Sequence, residues 1–140
     1  MATFNKFNAF VADLANKVHN FGSDTFKVLL TNTAPVATNA VKADITEIAA
    51  GAGYTAGGAS LTLTSSTQSS GLYKYIASAA SPTWTSSGAF ATFRYVVLYN
   101  STAASGNLVG YWDFGSGVTL SSGNTFTVSL DGTNGVLQIS

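Results

Sequence analysis

Apolar positions near the start of the chain follow a helical period. Six of them recur at intervals of three and four residues: Phe4, Phe7, Val11, Leu14, Val18 and Phe21. Such spacing places side chains on one face of a helix, and Gly22 supplies a stop signal. The sequence therefore predicts one amphipathic α-helix over about residues 3–21. We expect its apolar face to dock on the protein's own sheet, with a coiled-coil-like contact between subunits as the alternative.

After Gly22 the apolar period shortens to two residues, which is typical of strands. Strands are predicted at 25–31, 61–66, 72–79, 89–100, 107–114 and 136–139, a short edge strand at 44–48, and a hairpin joining 118–120 to 125–130. Trp84 is placed in a connection or a short strand. About eight short strands behind one helix predict a mainly β fold, an antiparallel β-sandwich or jelly-roll-like domain. We expect a single domain over residues 1–140, with the β-sandwich at about 25–140.

Charged residues are scarce in this chain. They make up 9% of its 140 residues, and the formal net charge is zero, whereas ordinary soluble domains carry about 25%. Two interpretations stay open: a domain solubilised by hydroxyl groups, or a subunit that packs among other proteins, since a net charge near zero weakens mutual repulsion. The chain has no cysteine, which excludes disulfides and thiolate metal sites.

The six basic residues are scattered along the chain and form no run. Phosphate binding requires clustered cations, so we expect no nucleic-acid partner. No apolar stretch approaches the about 20 residues that span a bilayer. Polar residues such as Asn5, Lys6 and Asp13 interrupt the N-terminal segment, where a signal peptide needs an apolar core. We therefore expect no membrane association, and synthesis in a cytoplasm.

Groups that could catalyse a reaction are few. His19 is the only histidine, and we place it at the edge of the packed helix face or in solvent. Asp44 with Glu47 could serve as an acid–base pair, but a solvated surface is the favoured explanation. Asp113 is expected to cap a turn or to pair with Arg94. We predict no catalytic residue, no cofactor site and no metal site, so the chain is not expected to be an enzyme.

A glycine-rich loop at 51–59 surrounds Tyr54. It lacks the lysine and the βαβ context of a phosphate-binding loop, and we interpret it as a flexible loop that reaches a neighbouring subunit. Tyrosine and tryptophan exceed what one core needs; they are common at protein interfaces, although exposed aromatic rings also bind sugars. We expect a protein interface at six residues: Gly53, Tyr54, Gly57, Gly58, Trp84 and Trp112.

Four segments of the chain resemble a group of small proteins encoded by tailed bacteriophages and prophages. They lie at 4–58, 93–104, 108–128 and 134–140, and together they cover most of the sequence. The resemblance rests on an ordered set of motifs: a helix, KVLLTNTAP, a Gly-Tyr-Thr-x-Gly-Gly loop, RYVVLYN and GYWD. It implies a structural component of a phage virion, made in the cytoplasm of a bacterial host. It carries over no catalytic residue.

Within a virion, the resemblance leaves two roles for a small β-domain. A decoration or cement protein clamps capsid subunits and stabilises the shell through multivalent contacts; a tail or fibre component binds a host receptor or glycan. We favour decoration, because the chain has no fibrous repeat and its low charge suits burial between subunits. The expected partners are the major capsid protein or other virion proteins, with the chain itself a homo-oligomer, a trimer being favoured. The helix or the long connections at 32–43 and 51–59 would contact the shell.

Overall fold

The computed structural model describes residues 2–78 and 80–140. Met1 and Ala79, the last residue of the strand predicted at 72–79, lie outside this range. The described residues contain one α-helix, α1 (Ala9–Ala15), and a 3₁₀ turn at Lys42–Asp44. Their strands are β1 Thr3–Lys6, β2 Phe26–Thr31, β3 Ala59–Ser60, β4 Ser65–Ser69, β5 Leu72–Ile76, β6 Thr83–Thr85, β7 Phe93–Asn100, β8 Leu108–Val118, β9 Thr125–Thr127 and β10 Leu137–Ile139.

The strands form three antiparallel sheets. The main sheet has five strands in the order β1-β8-β7-β2-β3; the smaller sheets are β10-β5-β4 and β6-β9. One face of the main sheet packs against the two smaller sheets, and the other face is covered by part of the connection at 32–58. The prediction of a mainly β, antiparallel fold with one helix near the N-terminus is confirmed, and the layers are arranged like a sandwich.

The face of the main sheet that meets the smaller sheets carries an aromatic core. Phe26 of β2 packs on Tyr75 of β5, with ring centroids 5.4 Å apart, and Phe93 of β7 packs on Phe126 of β9 at 4.7 Å. Leu137 of β10 lies against the same cluster. Burial of this apolar surface is the main source of stability, because it removes nonpolar area from water.

The opposite face of the main sheet holds a second, smaller core. Leu29, Val97 and Leu108, from the three adjacent strands β2, β7 and β8, are fully buried there. Phe7 packs with them, and Ile45 from the connection at 32–58 lies over the cluster. Because both faces of β7 are covered, its sequence is apolar at successive positions, as the strong strand signal at 89–100 indicated.

The N-terminal segment differs from the helix predicted at 3–21. Residues Thr3–Lys6 form β1, and α1 is limited to Ala9–Ala15. An interval of three residues places two side chains on one helix face but on opposite faces of a strand. Phe4 joins the aromatic core and Phe7 joins the second core. Since both faces of the main sheet are covered, an apolar spacing that suggested a helix is equally compatible with a strand.

The edge strand predicted at 44–48 is reduced to a single antiparallel bridge, between Glu47 and Thr31 of β2, and its first residue belongs to the 3₁₀ turn. The carboxylate of Asp44 accepts hydrogen bonds from the backbone N–H groups of Ala40 and Val41 at 2.8 and 3.2 Å. These bonds close the chain into the 3₁₀ turn, because a short acidic side chain competes for backbone donors that a strand would use in a ladder.

The hairpin predicted between 118–120 and 125–130 is wrong. Strand β9 pairs with β6, and Trp84 lies opposite Phe126. Val118 ends the long strand β8 and pairs with Phe93 of β7. The strand predicted at 61–66 is displaced as well, since β4 begins only at Ser65. The pairing partners are distant in sequence, so local turn signals did not identify them.

Candidate interface and the two edges of the main sheet

Tyr54, one of the predicted interface residues, closes part of the outer side of β2, beside the two-residue edge strand β3. Its side chain is buried, with 3% exposure. The phenol oxygen accepts a hydrogen bond from the N–H of Leu30 in β2 at 3.1 Å, and it donates to Oε1 of Glu47 at 2.7 Å. Burial, together with the Glu47 carboxylate, raises the pKa of Tyr54 well above its usual range. The hydroxyl therefore stays protonated and acts as a fixed link between a strand edge and a carboxylate.

The glycines of this loop allow a close approach to neighbouring backbone. Gly58 has a φ of +72°, and a Cβ atom there would lie 1.9 Å from the carbonyl oxygen of Val28 in β2. Gly53 has a φ of +102°, and its Cβ would lie 2.0 Å from the carbonyl oxygen of Thr85 in β6. The N–H of Gly57 donates to Glu47. The loop is held against the chain's own strands, which corrects the expectation of a flexible arm.

The outer edge of β2 is closed along its length. The backbone N–H and carbonyl groups of Phe26, Val28 and Leu30 point away from β7, and each of these residues forms backbone hydrogen bonds on that side. The carbonyl of Phe26 accepts from the N–H of Leu61 at 2.8 Å, Val28 pairs with β3, and the carbonyl of Leu30 accepts from the N–H of Ile48 at 3.0 Å. With the N–H of Leu30 bound to the tyrosine hydroxyl, this edge offers almost no free backbone group. We call it the sealed edge.

Strand β1 forms the opposite edge, which we call the open edge. The N–H of Phe7 donates to the carbonyl of Val109 in β8 at 3.2 Å. Backbone groups of alternate residues point to opposite sides of an antiparallel strand, so Asn5 also faces β8 while Phe4 and Lys6 face outward. The ladder with β8 uses the groups of Asn5, and among the described residues no backbone hydrogen bond outside the strand ladders reaches the N–H or the carbonyl of Phe4 or Lys6. The apolar periodicity does not predict this edge, because β1 lies within the segment predicted as helix.

The two predicted tryptophans lie in different environments. Trp84 is 5% exposed and stacks near Phe126, with centroids 6.2 Å apart, so it belongs to the aromatic core. Trp112 is half-buried beside Phe4, at 4.9 Å, in the strand next to the open edge. It also borders a notch of about 150 Å³ with Phe114. Of the predicted aromatic interface residues, Trp112 alone lies within reach of a partner; an interface at the six residues stays a prediction.

All six carboxylates are bound by partners within the chain. Arg94 donates to both oxygens of Asp113, from Nε at 2.7 Å and from Nη2 at 2.9 Å, which confirms the expected pair. These bonds lower the pKa of Asp113, and backbone N–H donors lower those of Asp44 and Asp131. The remaining acceptors and their donors are Asp13 with Asn107, Asp24 with Asn20 and Asn100, and Glu47 with Tyr54, Gly57 and Lys42.

His19 is buried, contrary to the expectation that it lies at an edge or in solvent. Its Nδ1 is 3.2 Å from Nδ2 of Asn100, and its Nε2 has no hydrogen-bond partner among the described residues. Asp13 Oδ2 lies 4.0 Å from that nitrogen. Burial lowers the pKa of His19, while Asp13 and Asp24 act in the opposite direction. The ring is surrounded by phenylalanines of the core, which favours its neutral form.

A surface depression of about 560 Å³ is lined by Lys42, Glu47 and Tyr99 among others. Its charged groups already satisfy one another, since Lys42 Nζ is 3.2 Å from Glu47 Oε2. The Tyr99 hydroxyl donates to the carbonyl of Gly57 at 2.8 Å. In residues 2–78 and 80–140, no three acidic or histidine side chains form a cluster that could hold a metal ion.

Compared with known protein families, curated proteins and solved structures, the chain shows no significant match. No helix within the described residues is long and apolar enough to cross a membrane.

Proposed function

We propose that the chain is a structural component of a tailed-phage virion, and specifically a capsid decoration protein that stabilises the shell through multivalent protein contacts. The structural role is supported by one observation: the polar side chains that could catalyse a reaction form contacts within the chain instead. Each carboxylate is bound within the chain, and the single histidine is buried under the N-terminal segment. These groups hold the fold together. The assignment to a phage particle rests on the sequence resemblance.

The arrangement of the aromatic rings gives no support to the alternative, a tail or fibre component that binds a glycan. Sugar-binding surfaces present exposed aromatic rings edged by polar side chains. Here Tyr54, Tyr75, Tyr95 and Tyr99 are all less than 9% exposed. Phe114, at 37%, is the most exposed aromatic side chain recorded for the described residues, and it carries no polar group.

The experiment that tests the proposal is the location of the chain in purified particles. Particles induced from a lysogen that encodes the chain would be examined by quantitative mass spectrometry and by cryo-electron microscopy. We expect many copies, arranged with the symmetry of the shell. A few copies confined to the tail would overturn decoration but keep a virion role, and absence of the chain from particles would overturn both.

The surface that contacts the shell can be tested with exposed residues alone. Val11 on α1 and Val36 in the connection at 32–43 are 55% and 54% exposed, and both lie in segments expected to contact the shell. The double variant Val11→Asp, Val36→Asp should fold normally and lose incorporation. Leu63→Asp, at a position 42% exposed elsewhere on the chain, is the matched control and should incorporate like the wild type. Deletion of the loop at 51–58 is unsuitable, because it would unseal β2.

A further inference from the structure

We infer that two copies of this chain join through their open edges, β1 to β1, to form a two-fold symmetric dimer with one continuous ten-stranded sheet. The dimer concerns how copies of the chain meet one another, so it stands or falls separately from the proposed role in a virion.

The first argument is the direction of the free backbone groups. Phe4 and Lys6 each point an N–H and a carbonyl away from β8, and both residues are accessible in β1. Edge strands with free backbone groups add a further strand when one is offered, since the ladder of hydrogen bonds continues. The occupant of this edge must therefore be an extended backbone segment.

The second argument identifies that segment as a second β1. If the two-fold axis passes through Asn5, Phe4 lies opposite Lys6 of the second copy, and Lys6 lies opposite its Phe4. Each such pair is of the hydrogen-bonded type and exchanges two bonds. All the outward-facing groups of both strands are then satisfied, with no group left over and no shift of register.

The third argument is the chemistry of the side chains in that register. Lys6 forms no ion pair within the described chain, whose lysine and arginine ion pairs involve Lys42 and Arg94. In the dimer its ammonium lies beside Phe4 of the second copy, which packs on Trp112 at 4.9 Å. A cation over an aromatic ring is attracted by it, and the two lysines are kept apart. This places Trp112, a predicted interface residue, next to the contact.

The fourth argument is closure. At the other end of the main sheet the outermost strand, β3, has only two residues, and Leu61, Ile48 and Tyr54 occupy the rest of the outer side of β2. That side therefore offers no strand of matching length to an open edge, and an endless ribbon cannot form. An open edge can meet only another open edge, which gives an isologous contact that ends at two copies.

The test is the mass of the full chain in solution, measured by sedimentation over a range of micromolar concentrations. We expect twice the chain mass of 14.4 kDa. Lys6→Pro removes one outward N–H and no bond to β8, and Pro is tolerated at such edge positions; it should be monomeric with an unchanged circular dichroism spectrum. Lys6→Ala keeps the N–H and should remain a dimer with affinity reduced about tenfold, through loss of the cation–ring contacts.

Hydrogen exchange keeps the test decisive if Lys6→Pro does not fold. In the wild type, the amides of Phe4 and Lys6 should be protected at high protein concentration and should exchange rapidly after dilution. The amide of Asn5, bonded to β8, should be protected at both. A monomer at every concentration, or an oligomer in which the Phe4 and Lys6 amides exchange freely, would overturn the inference. Protection of these amides only when another virion protein is added would show that the edge receives a different chain.

Discussion

The two sides of the main sheet differ in how the outward-pointing backbone groups of their strands are bonded. At the sealed edge, a tyrosine hydroxyl, a carboxylate and a glycine-rich loop occupy the backbone groups of β2. At the open edge, Phe4 and Lys6 leave theirs free. An edge strand is a general liability for aggregation, so closing one edge and leaving the other open confines pairing to a single direction. In the inferred dimer, the glycine-rich loop would therefore restrict pairing to the open edge while lying inside the fold itself.

The largest effect is expected from forcing the loop away from β2. Gly58→Ala would place a Cβ atom 1.9 Å from the Val28 carbonyl oxygen at a positive φ, so the loop must move. We expect a loss of about 3 kcal/mol in the free energy of unfolding, measured by urea denaturation at one protein concentration. Gly71→Ala is the matched control, since Gly71 has a φ of +82° with open space around it; it should cost about 1 kcal/mol. Equal losses would contradict the role of close approach.

The next largest effect is expected from removing the hydroxyl of Tyr54 while its ring is kept. Tyr54→Phe keeps the packing but leaves the N–H of Leu30 and one lone pair of Glu47 without their partner. A buried unsatisfied donor costs about 2 kcal/mol. Tyr73→Phe, which removes a half-buried hydroxyl bonded to Ser66, should cost less. We also expect Tyr54→Phe to aggregate at high concentration, as seen by light scattering, because the sealed edge is then partly open; a soluble variant of normal stability would refute the sealing role.

A smaller effect is expected from the protonation of His19, which lies in the segment that follows β1 and α1. Burial lowers the pKa of His19 in the folded state, so the unfolded chain binds a proton more readily. The contribution of the buried, neutral His19 to the free energy of unfolding is therefore complete above its ordinary pKa of 6.5, and it declines as the pH falls below that value. The slope cannot exceed about 1.4 kcal/mol per pH unit. Thermal melts between pH 7 and 5 should show this decline in the wild type and a flat profile in His19→Gln.

The smallest effect is expected at the ion pair beside β1. Asp113 lies opposite Thr3 in the ladder and is bonded by Arg94, but both side chains are about one-third exposed. Exposed pairs contribute little, since water screens them. Asp113→Asn should lower the melting temperature by no more than roughly 2 °C. A larger fall would mean that this pair positions the open edge.

The difference between the two edges also explains what the sequence could predict. Strand β7 was found because its apolar residues are dense and covered on both faces. The Arg94–Asp113 pair was anticipated, while His19 was not placed correctly, because burial depends on how distant segments fold over it. Tyr54 was singled out as an aromatic residue in a glycine-rich loop, yet its hydrogen bond to Leu30 joins residues 24 positions apart. No local pattern encodes such a contact.

The small number of charges has a consequence for how fast copies of this protein meet. A chain with zero net charge and only 9% charged residues, four of which form the ion pairs Lys42–Glu47 and Arg94–Asp113, produces a weak electric field beyond its own surface. Encounters with a partner are then governed by diffusion and shape, without long-range steering. Association rates should therefore change little between dilute buffer and high salt, and the protein should assemble equally well across wide variation in ionic strength.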